Sequence, residues 1–542
     1  MLDTDSELVQ FQEENTLNHP TDSVYSVMGI VNRLQVIADR TVLLGEIRGD
    51  LVMTTEAASA DLKRLASFDN SKPNKYNKIA DYYDVINNCN YYIATVDTAL
   101  QRRGRTLFKN EYAAVKAFRA WTYLELAKAY GEVPLVLQPV MTEREALSTL
   151  NAQPSTLKDI CEYFIQDLTP YALTPLPRFG DINGWDSEQF FIPMRVLLGD
   201  LCLWAGHYEE AARWYNSYLN DKDNPITLNT GNRVVWTSPT DFRTARSSYT
   251  VTSTKEALSY IPMESRIFDG TISDLRNVFC STTDNNYFFQ VEPSVVMRLL
   301  SASQIYCMEY KTDTETDTVY APRSGFVDDI YVGDLRLRAN YSVTSDGAQD
   351  PYSEYSYMRQ TIDKLWPNLV TTYRRTMVYL RYAEALNRAG LPQSAFAVLK
   401  YGLCSENIRN RIDSLEQVKA GSLITFDENI FTRESVIGIH SLGSGDSECN
   451  AYYELPQPET ALATRQDTVD YQIPIVENLI INEMALEGSF EGYRYYDLMR
   501  VALRRNDPAY LANLISWRRG QQDEALRTLL MDKRNWYLPK QQ

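Results

Sequence analysis

Apolar positions along most of the chain recur at helical spacing. Between Asn77 and Leu100, residues Ile79, Tyr82, Tyr83, Ile86, Cys89, Asn90 and Ile93 fall on one stripe, the mark of a helix with one packed face. Phe108 to Tyr130 carries a second stripe through Tyr112, Val115, Ala117, Phe118, Trp121, Leu124, Leu126 and Ala127, which Gly131 and Pro134 end. The pair predicts a long helical hairpin. A further stripe, from about Val476 to Arg504, runs through Leu479, Met484, Leu486, Phe490, Tyr495, Tyr496, Leu498 and Met499 and predicts a C-terminal helix.

Two segments repeat one another. Leu198-Gly199, Cys202, Gly206, Tyr208, Ala211, Tyr215 and Leu219 match Tyr382-Ala383, Leu386, Gly390, Pro392, Ala395, Leu399 and Leu403 in spacing. In each, a small residue (Gly199, Ala383) lies twelve positions before a second one (Ala211, Ala395), with a turn glycine (Gly206, Gly390) seven after the first. Small residues where the axes approach, and a glycine to end the first helix, let two antiparallel helices pack closely. Both segments resemble tetratricopeptide (TPR) units, and Gly206-His207-Tyr208-Glu209-Glu210-Ala211-Ala212 is close to the opening of such a unit's second helix. The usual Trp of the first helix is replaced by Arg195 and Tyr379. The expected fold class is mainly α, with TPR-like helical hairpins forming a superhelical scaffold.

Residues 221–370 break this pattern. They are rich in Pro, Ser, Thr and Asp, hold short alternating runs such as Val291 to Val296, and predict a long irregular insert with turns and short strands. So long an irregular stretch is usually functional. Residues 405–470 are also loop-rich, and Gly438-Ile439-His440-Ser441-Leu442-Gly443-Ser444-Gly445-Asp446 reads as an ordered, Gly-hinged loop. The expected organisation is one domain over 1–542. It comprises an N-terminal helical, TPR-like part (77–220), the insert as ligand surface (221–370), a second TPR-like unit (371–404), the loop-rich segment (405–470) and a C-terminal helical part (471–542).

Composition narrows the partners. A net charge of -17 repels phosphate backbones, and no clustered Lys/Arg run offsets it, so nucleic acid is not expected. The 37 Tyr outnumber the 18 Phe two to one, which suits half-wet ligand platforms as well as helix seams. Seven Cys lie scattered without CxxC spacing, so neither a zinc site nor a full disulfide framework is suggested, and most read as small core residues. No apolar run reaches the roughly 18 residues of a membrane-spanning helix. Met1-Leu2-Asp3-Thr4-Asp5-Ser6 has no basic or apolar region of a signal peptide.

Catalytic patterns are absent. His19, His207 and His440 are the three histidines, none in an HExxH spacing. His207 reads as a solvent-facing spacer. His440 beside Ser441 lacks the strand, GxSxG turn and helix of a nucleophile elbow, and a structural loop role is expected. Asn220-Asp221-Lys222-Asp223-Asn224 lacks the Gly and terminal Glu of a calcium loop and reads as a solvated turn. Nothing singles out a carboxylate pair for glycoside hydrolysis, and no phosphate-cradling Gly-rich loop occurs. The chain is expected to be no enzyme, with no cofactor and no metal.

Three further segments carry a family resemblance. The helix from Ala113 to Ala129 ends in Tyr130-Gly131-Glu132-Val133-Pro134-Leu135-Val136; Tyr379-Leu380-Arg381-Tyr382-Ala383-Glu384-Ala385-Leu386-Asn387 follows later; Asn482-Glu483-Met484-Ala485-Leu486-Glu487-Gly488-Ser489-Phe490-Glu491-Gly492-Tyr493-Arg494-Tyr495-Tyr496-Asp497-Leu498-Met499-Arg500 lies near the end. In motif, order and spacing these resemble the SusD/RagB family of outer-membrane nutrient-uptake lipoproteins, over nearly the whole chain. Physically, the last segment is a helix, a Gly-permitted turn and a second helix, along whose faces Glu487, Glu491, Arg494, Asp497 and Arg500 are expected to pair. It looks structural.

The resemblance implies non-catalytic capture of oligosaccharide at the cell surface and delivery to a SusC-like TonB-dependent transporter. Peptide capture by the same mechanism is the alternative, and an intracellular TPR adaptor is a more distant one. It also implies an N-terminal lipid anchor on an acylated Cys. No Cys precedes Cys89, and Leu2-Asp3-Thr4-Asp5 is similar to residues soon after the lipidated Cys, which implies that Met1 replaces a removed signal and lipobox. The ligand surface of such proteins corresponds to Ser67 to Lys78 and Asp284 to Arg323. Candidate ligand-binding residues are therefore Phe68, Asn74, Tyr76, Tyr287, Phe288, Tyr306, Tyr320 and Arg323. For each, packing is the competing role, and Tyr287-Phe288-Phe289 also reads as a buried strand.

Overall fold

The structure of the protein, a computed structural model, describes residues 20–540 except 103, 150–151, 229–232, 235–255, 264–269, 282–287, 312–313, 322–332, 350–355 and 366–367. Its main helices are α1 (Pro20–Glu46), α2 (Ile79–Thr95), α3 (Lys109–Tyr130), α4 (Leu157–Leu168), α5 (Met194–Ala205), α6 (Tyr208–Leu219), α7 (Arg375–Arg388), α8 (Pro392–Lys400), α9 (Arg465–Gly488) and α10 (Arg494–Arg505). They pack in succession, α2 on α3, α3 on α4, α4 on α5, α5 on α6, α6 on α7 and α7 on α8, with α9 against both α7 and α8. The two TPR-like units, α5–α6 and α7–α8, are therefore spatial neighbours although a long insert separates them in sequence. This is the mainly helical scaffold the hairpin repeats predict.

The seam of the first unit shows why the small residue is needed. A Cβ on Gly199 would lie 2.5 Å from the Tyr215 ring, so α5 and α6 approach as they do only without a side chain there. The Tyr215 hydroxyl donates to Asp200 at 2.6 Å, and the same carboxylate accepts from Tyr373 at 3.0 Å and Arg381 at 2.6 Å. One buried Asp thus joins the first unit to the second.

The insert supplies short antiparallel strands. β1 (Val52–Thr54) pairs with β3 (Val291–Pro293), β2 (Ala257–Pro262) with β8 (Leu369–Arg374), β4 (Tyr306–Lys311) with β5 (Thr316–Ala321), and β6 (Tyr341–Gln349) with β7 (Ser356–Ile362). The alternation from Val291 to Val296 holds only as far as Pro293. There Ser294 accepts the Met297 N–H at 3.1 Å and caps a helix over Val295–Ser303, since a capped first turn satisfies backbone donors a lone strand would leave free.

Two helices depart from the patterning. α1 is unassigned by stripe analysis because its buried apolar residues, from Val27 through Val42, serve packing against α2, α3 and α10 together. The stripe from about Val476 to Arg504 runs through two helices, divided at the Gly-permitted turn read in the motif. α9 starts earlier, on a capping box of Thr464 and Asp467, and ends at Gly488; the chain then turns through Phe490 (φ 66°) and Gly492 (φ 84°) into α10.

That turn is held from afar, which corrects the expected local pairing of its charges. Glu46, at the end of α1, accepts the N–H groups of Phe490 and Gly492 at 2.9 and 3.1 Å. Arg494 pairs with Asp50 at 2.6 and 2.9 Å, Glu491 with Lys364 at 2.6 Å and with Arg374, and Glu487 with Arg374 at 2.9 Å. Only Arg500 keeps a local partner, Asp497 at 2.8 Å, and it also binds Glu384 at 2.6 Å. The reason is burial: a charge removed from water needs near partners on every side, and a helix face provides one at most.

Candidate functional site

The hairpin β4–β5 and the 438–446 loop, which docks back on α8, build a cleft. Ile439 and His440 donate backbone N–H groups to the carbonyls of Val398 and Leu399 at 3.2 and 2.9 Å, docking the Gly438–Asp446 loop on α8. Gly445 then meets the hairpin: at φ 80° its Cβ would fall 1.9 Å from the Cys307 carbonyl oxygen, so this contact admits no side chain. Asp446 donates its N–H to that carbonyl at 2.7 Å and accepts the Glu309 N–H at 3.1 Å. The loop and the hairpin are thereby one wall.

The resulting cleft has a volume of about 450 Å³ and is lined by Arg233, Glu309, Lys400, Tyr401, Arg411, Arg433, Asp446, Glu448 and Cys449 among others. Its cations are positioned rather than loose. Arg233 donates to Asp446 at 2.6 Å and to the Gly445 carbonyl at 2.8 Å. Arg433 bridges Glu406 at 2.9 Å and Glu448 at 2.5 Å, Arg411 reaches Glu448 at 3.4 Å, and Lys400 pairs with Glu454. The Arg411 guanidinium lies 4.6 Å over the Tyr401 ring. At one edge Tyr320 donates its hydroxyl to the Cys449 carbonyl at 3.3 Å and meets Tyr452 edge-on at 5.1 Å. Tyr452 is 67% exposed, a large ring left in water.

His440 anchors this wall from behind. It is buried, stacks on Tyr453 with ring centroids 3.7 Å apart, and hydrogen-bonds Glu483 at 2.6 Å. Burial alone would raise the Glu483 carboxyl, but Arg336 and His440 outweigh it and hold the group down to about 2. The histidine's placement is that of a loop brace, away from any exposed hydroxyl nucleophile. His207 faces solvent in part, as expected of a spacer, and meets Glu162 at 2.8 Å at the protein surface. Asp221 pairs with Arg195 and accepts the N–H groups of Asp223 and Asn224 at 2.9 and 3.1 Å, which makes 220–224 a self-satisfied turn. Among the described residues no cluster of His, Cys, Asp and Glu has the makings of a metal site.

Neither a protein-family model nor a curated protein matches the chain by sequence. Solved structures do match the fold. A SusD superfamily protein from Bacteroides vulgatus superimposes with a TM-score of 0.54 at 14% identity, over 90% of this chain and 89% of that one. This chain has the SusD-superfamily fold. A SusD-like carbohydrate binding protein from Bacteroides vulgatus gives a TM-score of 0.53 at 15% identity, covering 90% of this chain and 84% of that one. A SusD superfamily protein from Bacteroides thetaiotaomicron gives 0.52 at 14%, with 89% of each chain covered.

On this SusD-like fold the candidate ligand residues fall into two groups. Phe68, Asn74 and Tyr76 follow the helix Ala60–Ser67, where Asn74 donates to the Asp61 carbonyl at 2.9 Å, and Phe288 lies two residues before Gln290, which accepts the Ser59 N–H at 2.9 Å at the start of that helix. Phe68 and Tyr76 are buried there, Phe68 beneath the Arg48 guanidinium at 4.9 Å, whereas Phe288 is 63% exposed. Tyr306 and Tyr320 belong to the hairpin beside the cleft. Tyr306 is buried against Val234 and Leu335 as part of its foundation, and Tyr320 stands at its rim. Tyr287 and Arg323 lie outside the described residues. The arginines of the cleft and Tyr452 escape sequence reasoning, because they come from four separate segments and no local spacing links them.

Proposed function

We propose that this protein captures oligosaccharide in the cleft between β4–β5 and the 438–453 loop, holds it without cleaving it, and delivers it to a SusC-like TonB-dependent transporter from a lipid-anchored position on the outer membrane. The observation that carries the reading is the exposed ring of Tyr452, braced edge-on by Tyr320, beside a cleft of fixed Arg and carboxylate groups. Sugar C–H faces stack on such rings while hydroxyls take hydrogen bonds from guanidinium and give them to carboxylate. The carbohydrate binding named for one structural relative from Bacteroides vulgatus supports the same class of ligand. The cleft's carboxylates are engaged by arginines, an arrangement suited to holding rather than to proton transfer. No described helix is long and apolar enough to cross a membrane.

Calorimetry against a panel of oligosaccharides and peptides tests it. An oligosaccharide is expected to bind without product release, and Tyr452→Ala to weaken it about tenfold, the equivalent of one lost ring contact. Released sugar would replace this reading with a hydrolase; peptide binding alone would replace the ligand class. Unchanged affinity in Tyr452→Ala would move the site away from this cleft.

A further inference from the structure

Beneath the cleft two cysteines from distant segments meet. The Cys307 and Cys449 Sγ atoms lie 3.2 Å apart, 142 positions apart in sequence. Their backbones are fixed on both sides of this contact. The Cys307 carbonyl accepts Asp446 N–H at 2.7 Å, Tyr320, directly opposite Cys307 in the hairpin, donates to the Cys449 carbonyl at 3.3 Å, and Asn450 donates to the Ile305 carbonyl at 2.8 Å. Two thiols held this way have little left to do to reach bonding distance.

We propose that Cys307 and Cys449 form a disulfide by exchange with an external disulfide, and that this bond staples the β4–β5 hairpin to the 445–453 loop at the base of the cleft. Access and acidity assign the roles. Cys449 lines the cleft and is partly exposed, whereas Cys307 is buried; the contact between them lowers the Cys449 thiol below the usual range and, with burial, raises Cys307. The Cys449 thiolate therefore attacks one sulfur of the incoming disulfide and releases its other half as a thiolate. Cys307 then gives up its proton and attacks the Cys449 sulfur, which releases the second half. Two protein thiols are oxidised to one disulfide, and the external disulfide is reduced to two thiols. The bond closes a loop of more than a hundred residues, where restriction of the unfolded chain is greatest. The other five cysteines, Cys89, Cys161, Cys202, Cys280 and Cys404, are buried.

The test uses the full chain, fully reduced and then exposed to oxidised glutathione, followed by alkylation under denaturing conditions and mass spectrometry. Five of the seven thiols are expected to alkylate, against seven in the reduced control, with one crosslinked peptide pair joining Cys307 to Cys449. The oxidised protein should melt several degrees above the reduced one, and Cys449→Ser should abolish that difference while still folding, because its side chain is partly exposed. Seven alkylated thiols after oxidation, a persistent glutathione adduct on Cys449, or a crosslink between any other pair would overturn the proposal. None of these readouts involves a sugar, so the outcome is independent of the capture function.

Discussion

Single buried groups set the electrostatics of this protein. Glu46 shows it best: burial pushes its carboxyl up to about 7, against the lowering effect of the Phe490 and Gly492 N–H groups. A raised value in the folded chain means the fold binds the proton more tightly than the unfolded chain does. Its contribution is complete below the ordinary value of 4.5 and is lost as pH rises through about 7. Glu46→Gln cannot titrate. The stability of the wild type relative to Glu46→Gln is therefore expected to fall by about 3 kcal/mol between mildly acidic and mildly alkaline pH, by denaturant melts across that range. A constant difference would mean the turn at Phe490 does not bury the carboxylate. Glu384 and Glu483 carry the opposite sign: arginines overcome burial and hold each down to about 2, so their contribution persists at neutral pH and fades only in strong acid.

At the scale of elements, what matters is how closely helices approach. The space at Gly199 is filled by the Tyr215 ring at 2.5 Å, whereas a Cβ on Gly29, on the exposed side of α1, would meet nothing within 4 Å. Gly199→Ala is expected to destabilise by about 1–3 kcal/mol through overpacking. Gly29→Ala should stabilise by about 0.5–1 kcal/mol, because it only restricts the unfolded chain and improves helix propensity. Thermal melts of both variants check the pair, and equal shifts would contradict the seam. The small-residue spacing that marks the TPR-like units thus reports a real steric requirement at the first of them.

Across the whole molecule, the N- and C-terminal helical parts are tied together. One continuous core runs from Val27 to Leu538, and Trp536, fully buried, lies near the other terminus of the helical array. Its carbonyl accepts the Tyr495 hydroxyl at 2.7 Å and also binds Arg48, while Asp50 holds Arg494. A single cooperative unfolding transition is therefore expected, and Trp536→Ala should cost about 3–5 kcal/mol and lower that one transition as a unit. Calorimetry resolving two transitions, with only the later one moved, would separate the N- and C-terminal parts energetically.

Hydrophobic periodicity by itself determined that the chain is mainly helical, where α2 and α3 run, and which residues form the seams of the two helical hairpins. Those features are local: a period reports one buried face, and a small residue reports one close neighbour. The tertiary structure alone decided that the two TPR-like units touch, that the charges of the C-terminal motif reach to Asp50, Lys364 and Arg374, and that Glu46 holds the turn between α9 and α10. It also decided the cleft, where Arg233, Glu309, Arg433 and Tyr452 converge, and the meeting of Cys307 with Cys449. Each of these depends on contacts between segments far apart along the chain. Their residue types carry no periodic signal, and only the path of the backbone brings them within a hydrogen bond or a sulfur–sulfur contact of one another.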